Sequence, residues 1–504
     1  MLFLSILKFQ YLVADLKFYT MHTFSDLAPQ PLWNYFSEIL KVPRPSKKEA
    51  KIIAWLLEFA KAHGLEAKRD DAGNVLICKP AGPGREKAPV VVLQTHMDMV
   101  CEKNSDKAFD FEKDPIEGVV GDEWVSANGT TLGADDGIGI AAQLAVLTSR
   151  DIRHGAVECL ITVDEETGLT GANALQPGFL SGKILLNLDS EDEGEIFIGC
   201  AGGIDTLAVF RYGEEELPAG QLALQLKVSG LTGGHSGDDI HKGLGNANKI
   251  LARFLWQARA NQGISLAEFD GGNLRNAIAR EARAIITIPA NLKNQLTADF
   301  EAYAALVKFE FEKTEPLLSL TWETVPAPQS VIDTHTLHNL LNALAACPHG
   351  VLEWSTRMPG MVETSTNLAS VKFPGKGEIV VTTSQRSEID SRKAMAAAMV
   401  ESVFTLAGAE VTHSDGYPGW APNPESEILK ISVASYRKLF NTEPIVRSIH
   451  AGLECGLFLE KYPDLDMVSI GPTIKGAHSP AERINIETTE KFWKHLVDIL
   501  ENVG

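Results

Sequence analysis

Two histidines and a set of carboxylates are the residues in this sequence with the types and placement to do chemistry. His96 and Asp98 stand in Gln94-Thr95-His96-Met97-Asp98, directly after the apolar run 90–93. Glu165 and Glu166 follow the apolar run 157–163, and Asp189 closes the run 184–188. Asp135 lies in Gly133-Ala134-Asp135-Asp136-Gly137, just before a helix-like stretch, and His478 lies in the loop after the run 467–470. Taken singly, each cluster is ordinary. An H-x-D triplet recurs by chance, an acidic pair is usually a solvated turn, and Asp135-Asp136 suit a helix start, where the N-terminal dipole favours carboxylates. Taken together they offer imidazole nitrogen and carboxylate oxygen, a donor set suited to zinc. A two-metal hydrolase adds one requirement, a carboxylate shared by metals ~3.5–4 Å apart.

These residues need elements that bring them to one place. Short, continuously apolar runs alternating with helices imply an α/β sheet covered on both faces. In open sheets of that kind, functional groups gather beyond the carboxyl ends of the strands, which is where His96, Glu165, Glu166 and Asp189 fall. Residues 46–64 read as a helix: Ser46 and Glu49 form a capping box, Ile52, Ile53, Leu56, Leu57 and Ala60 make an apolar face, and Gly64 stops it. A second helix is expected over 137–148. The middle of the chain changes texture, with alternating runs at 222–228, 282–288 and 378–383 and an amphipathic stretch at 247–260, a pattern of antiparallel strands with helices on one face. The fold class is therefore α/β in two domains. A catalytic α/β domain with a mixed sheet, residues 21–202 and 399–504, is interrupted by an inserted α+β domain, residues 203–398.

Composition narrows the function classes. A chain of 504 residues exceeds one ordinary core, and 44% hydrophobic with 22% charged residues is globular. A net charge of −20 argues against nucleic acid or an anionic membrane surface as partner. Six cysteines without a CxxC pair fit reduced thiols in a cytoplasmic protein. Any zinc here is then held by His and carboxylate. In the first twenty residues Lys8, Asp15 and Lys17 interrupt the apolar run, which also lacks a cleavage site. Residues 1–20 are expected to be an extension outside the fold, with the protein proper opening at Met21.

The motifs HMD, GADDG, DEE, NLD and a late GAHSP, in that order and joined by GGHSG and HAGLECG, resemble the metallopeptidase family that includes carboxypeptidase G, tripeptidase T and the carnosinase-like dipeptidases. The resemblance covers nearly all of the chain from Met21. It implies two Zn2+ per chain, with Mn2+ or Co2+ as possible substitutes. His96, Asp135 and Asp189 would hold one metal; Asp135, Glu166 and His478 would hold the other, with Asp135 shared and a cis peptide bond joining Asp135 to Asp136. Asp98 would orient His96, and Glu165 would be the base that takes a proton from the water between the metals and returns it to the leaving amine.

The same resemblance gives His235, in Thr232-Gly233-Gly234-His235-Ser236-Gly237, the role of stabilising the oxyanion. Asn276 and Arg386 match positions that hold the substrate carboxylate or carbonyl, and Gly452 matches a pocket backbone contact. It further implies that the inserted domain, residues 203–398, is a lid through which a homodimer forms, and that the substrates are dipeptides with a free amino terminus, Xaa-His dipeptides included. The rival reading is a di-zinc N-acyl amino acid acylase or deacetylase, against which Asp at position 189 counts; a binding protein that keeps the fold without the chemistry is disfavoured by the presence of every ligand together with Glu165. A chain begun at Met21 is expected to match the full chain in solubility and peptide hydrolysis, and loss of either on truncation would show that residues 1–20 pack onto the domain.

Overall fold

The computed structural model describes residues 23–504, so the expected extension at 1–20 lies outside the described residues. By packing, the chain divides into two compact units. One comprises the described part of Met1–Glu195 with Ile431–Pro444 and Ser469–Gly504; the other comprises Ile196–Lys430 and Ile445–Val468.

In the first unit five strands lie side by side in the order Glu66–Arg69, Val75–Lys79, Val157–Thr162, Val91–His96 and Ile184–Asn187. Val91–His96 runs parallel to both of its neighbours, with His96 opposite Thr162 and Gln94 opposite Asn187. The two outer strands pair antiparallel, which makes the sheet mixed. Every residue of Val91–His96 and of Val157–Thr162 is buried, as expected where helices cover both faces. The parallel register puts the carboxyl ends of three strands at the same edge.

The expected helix over 46–64 forms only over Ala50–Ala62. Its proposed capping box does not form, because the Glu49 carboxylate is engaged elsewhere. It accepts from the backbone N–H of Lys47 (2.8 Å) and of Asp164 (3.1 Å). Lys47, in the left-handed region at φ 65°, also breaks the first turn. On the apolar face Phe59 is buried and Leu57 only partly so.

The second expected helix spans Ala134–Thr148, but Asp135 and Asp136 have non-helical backbone, so the regular helix starts at Gly137 as expected. The peptide bond between Asp135 and Asp136 is cis. Gln143, fully buried, ties this helix to the sheet: its side-chain amide donates to the carbonyls of Leu93 (2.8 Å) and Leu160 (3.1 Å), and its oxygen accepts from the Thr95 hydroxyl (3.2 Å).

The second unit is built on a nine-stranded sheet. Eight strands follow the order Ser319–Val325, Gln221–Ser229, Ala282–Pro289, Ser265–Gly271, Val362–Gly375, Glu378–Ser387, Gly202–Arg211 and Glu410–His413, and Gly350–Trp354 pairs with Val362–Gly375. These pairings are antiparallel. Helices Ala247–Gln262, Lys293–Glu310, Thr334–Ala346 and Asp390–Leu406 contribute with the strands to one apolar core. Among the described residues no helix is long and apolar enough to cross a membrane.

Gln143→Leu removes the amide that joins helix to sheet and leaves the Thr95 hydroxyl buried without its acceptor. Unfolding in urea is expected to show a loss of about 1–3 kcal/mol; an unchanged midpoint would show that this tie contributes nothing.

Candidate metal centre and second polar pocket

The strand ends deliver their side chains to one place. His96, the last residue of its strand, faces two carboxylates with Nε2: Asp135 Oδ1 at 2.9 Å and Asp189 Oδ1 at 3.4 Å. The other Asp135 oxygen, Oδ2, lies 3.1 Å from His478 Nε2, and His478 Nε2 is also 3.1 Å from Glu166 Oε2. One carboxylate therefore stands between two imidazoles. Ligand atoms of His96, Asp135 and Asp189 lie within 4.8 Å of one another, and so do those of Asp135, Glu166 and His478.

Asp98, fully buried, organises the floor of this cluster. Its Oδ1 is 3.4 Å from His96 Nδ1 and accepts the backbone N–H of Glu165 (3.0 Å), while Oδ2 accepts that of Glu166 (3.3 Å). Burial favours its neutral form, but the contacts with His96 and these N–H groups outweigh that and hold its pKa below the usual carboxylate value. The backbones of the two glutamates are thus fixed by one carboxylate. Asp164, before them, and His478 both have left-handed backbone, at φ 51° and 62°, an uncommon conformation for side-chain-bearing residues that occurs where surrounding structure over-determines it.

The electrostatics fit bound cations. Burial, with Asp135 nearby, raises Asp189 to about 7, and burial together with Asp135 and Asp189 raises Glu191 to about 8. Contact with Asp135 and Glu166 raises the His478 imidazole to about 11. Glu166 Oε1 is buried without a hydrogen-bond partner among the described residues. Carboxylates crowded in low dielectric repel one another, and divalent cations relieve that repulsion. Nitrogen and oxygen donors with no sulfur suit Zn2+, and also Mn2+ or Co2+.

Two residues that the motifs did not single out hold this arrangement. Glu482, buried, accepts four successive backbone N–H groups, from Leu132 (2.7 Å), Gly133 (2.9 Å), Ala134 (2.7 Å) and Asp135 (3.3 Å). Arg44, also buried, donates to the carbonyls of Met97 (3.1 Å), Asp98 (2.7 Å) and Gly133. Between them they fix both the H-x-D segment and the loop that carries Asp135. A side chain at Gly133 or Gly137 would collide with the Arg44 guanidinium, which accounts for the glycines of GADDG. No local pattern announces either residue, because Glu482 acts 348 positions away from Ala134.

His235, Asn276, Arg386 and Gly452 all belong to the second unit. His235 Nδ1 accepts from the N–H groups of Gly237 (3.3 Å) and Asp238 (3.2 Å), which leaves the ring proton on Nε2 as a donor. Burial, then the Arg386 charge, lowers its pKa and keeps it neutral, and the exposed Asp238 carboxylate 3.7 Å away does not reverse this. Asn276 and Arg386 line one cavity of about 420 Å³ with Arg275, Asp205 and Tyr417. Gly452 packs directly against the Tyr417 ring.

A family model for peptidase family M20/M25/M40 matches residues 92–502. The chain belongs to this family. It is 43% identical over 483 residues to the cytosol non-specific dipeptidase of Escherichia coli (strain K12), spanning 96% of this chain and 99% of that one. The crystal structure of aminoacylhistidine dipeptidase from Vibrio alginolyticus is similar with a TM-score of 0.90 and 46% identity, over 96% of this chain and 98% of that one. A Staphylococcus aureus tripeptidase, at 18% identity and TM-score 0.56 over 95% and 99% of the two chains, shares the fold. The chain is accordingly a hydrolase of the peptidase class with a two-domain α/β fold.

Glu482→Gln keeps the size of the side chain but leaves one oxygen to serve N–H groups that now have two. In chelator-treated protein the variant is expected to unfold about 1–3 kcal/mol more easily; equal denaturant midpoints would show that the loop does not depend on this carboxylate.

Proposed function

We propose that this protein is a cytoplasmic, zinc-dependent dipeptidase acting on dipeptides with a free amino terminus, Xaa-His dipeptides among them. The observation that carries the reading is the Asp135 carboxylate set between His96 Nε2 and His478 Nε2, with Asp189 and Glu166 completing two ligand groups. The names of the Escherichia coli and Vibrio alginolyticus relatives support the substrate class, and the former supports the compartment.

In this reading His96, Asp135 and Asp189 would hold one zinc, and Asp135, Glu166 and His478 would hold the other. Bound there, the pair would supply Lewis-acid chemistry, making water a better nucleophile and a carbonyl a better electrophile. Asp98 fixes the His96 ring through Nδ1 and keeps Nε2 as the ligand atom. Glu165 takes the proton of the attacking water and returns it to the departing amine. His235, neutral and donating from Nε2, stabilises the negative charge that develops on the carbonyl oxygen. Arg386 and Asn276 take the substrate carboxylate, and Gly452 borders that pocket. The inserted domain, residues 203–398, serves as the lid and as the surface through which two copies form a homodimer.

Hydrolysis of a panel containing carnosine, other dipeptides and N-acetyl amino acids, by metal-loaded and chelated protein, tests the assignment. Cleavage of the dipeptides only when metal is present is expected, and preference for the N-acetyl compounds would replace this reading with the acylase. The adjacent glutamates separate ligand from base. Glu165→Gln is expected to keep both zincs by elemental analysis while kcat falls by ~10²–10⁴, whereas Glu166→Ala loses metal. A fully active Glu165→Gln, or one that loses zinc while Glu166→Ala keeps it, would refute the assigned roles.

A further inference from the structure

The cavity of the second unit contains a phenol that the motifs did not draw attention to. Arg386 Nη1 donates to Tyr417 Oη at 3.0 Å. With that lone pair engaged, the Tyr417 O–H is left to donate, and among the described residues no protein oxygen takes it. Arg386 itself is buried and its Nε has no partner among the described residues, so the hydrogen bond to Tyr417 is what steadies its guanidinium.

The ring is held by an arrangement that tolerates little change. Gly203 sits directly opposite Arg386 in the sheet, and a Cβ there would come within 2.6 Å of the Tyr417 phenol. On another side a Cβ at Gly452 would come within 2.8 Å of ring atom Cε2. Both contacts are below any distance that real Cβ atoms adopt, so two glycines make the slot. The backbone of Tyr417 is pinned as well: its N–H donates to Gly203 O (2.9 Å), and its carbonyl accepts from Gly203 N (3.1 Å) and Lys393 Nζ (2.5 Å).

We propose that Tyr417 is a further substrate-positioning residue, whose hydroxyl orients the Arg386 guanidinium and offers its own proton to the same substrate carboxylate. Gly452 then acts through Tyr417, by leaving room for the ring. The proposal rests on the reading of Arg386 as the carboxylate contact.

The test compares the metal-loaded full chain with its Tyr417→Phe variant on a dipeptide and on the same dipeptide amidated at its carboxyl terminus. The unsubstituted protein is expected to prefer the free acid. Tyr417→Phe keeps the ring in its slot and removes the oxygen; KM for the free acid should rise roughly tenfold or more, the usual worth of a hydrogen bond to a charged group, with kcat held within about twofold and the amide unaffected. Gly452→Ala should raise KM for the free acid likewise, and the double variant should be no worse than the worse single one. Unchanged KM in Tyr417→Phe, a fall in kcat alone, or additive effects in the double variant would overturn the proposal. No preference for the free acid in the unsubstituted protein would instead remove the reading of Arg386, a failure visible before any variant is compared.

Discussion

The structure of the first unit depends on keeping several carboxylates side by side where water is scarce, most of each withdrawn from the surface. Asp136 is fully buried and Asp135, Glu166 and Asp189 partly so, and desolvation with mutual repulsion raises Asp136 and Asp189 above the carboxylate range. The protein meets that cost in two ways. Two imidazoles face the cluster directly, and Asp135 is shared between them. The remaining support comes from backbone: Asp98 accepts the N–H groups of Glu165 and Glu166, and Glu482 accepts four from the loop that carries Asp135. Asp98 and Glu482 hold backbone, and Asp135, Glu166 and Asp189 face the site.

Arg44 completes that division. Its guanidinium is spent on three main-chain carbonyls, where its planar fork can bond several oxygens at once. Its charge lies beside Glu482, Asp98, Asp135 and Asp136 without occupying the ligand positions. A cation used in this way steadies the loops and leaves the carboxylate oxygens of the cluster available.

The second unit solves a different problem with different means. Its nine-stranded sheet is antiparallel, and its polar residues come from that sheet and from neighbouring loops. His235 is kept neutral by burial and by the Arg386 charge, and two N–H groups on Nδ1 fix its tautomer. Arg386 is steadied by a phenol seated where Gly203 and Gly452 have no side chains. Neutral donors beside the Arg386 guanidinium suit the recognition of negative oxygen, just as the acidic cluster suits metal.

The order of amino acids is enough to specify the α/β class, the strand ends that carry His96, Glu165, Glu166 and Asp189, and the succession of ligand motifs. These are local properties: a buried strand is a short apolar run, and the polar residues next in the chain must lie at its end. The alternating strands of the middle region are legible for the same reason, since a period of two is written into neighbouring residues. Which side chains do the holding is settled only by folding. Ser46 and Glu49 have the spacing of a capping box, yet the N–H groups of Lys47 and Asp164 claim the Glu49 carboxylate, because a buried N–H competes for an acceptor more strongly than a helix end open to water. Arg44, Glu482 and Tyr417 gain their meaning only from backbone and side chains brought to them in three dimensions. Their partners are fixed by proximity in space, which no spacing along the chain records.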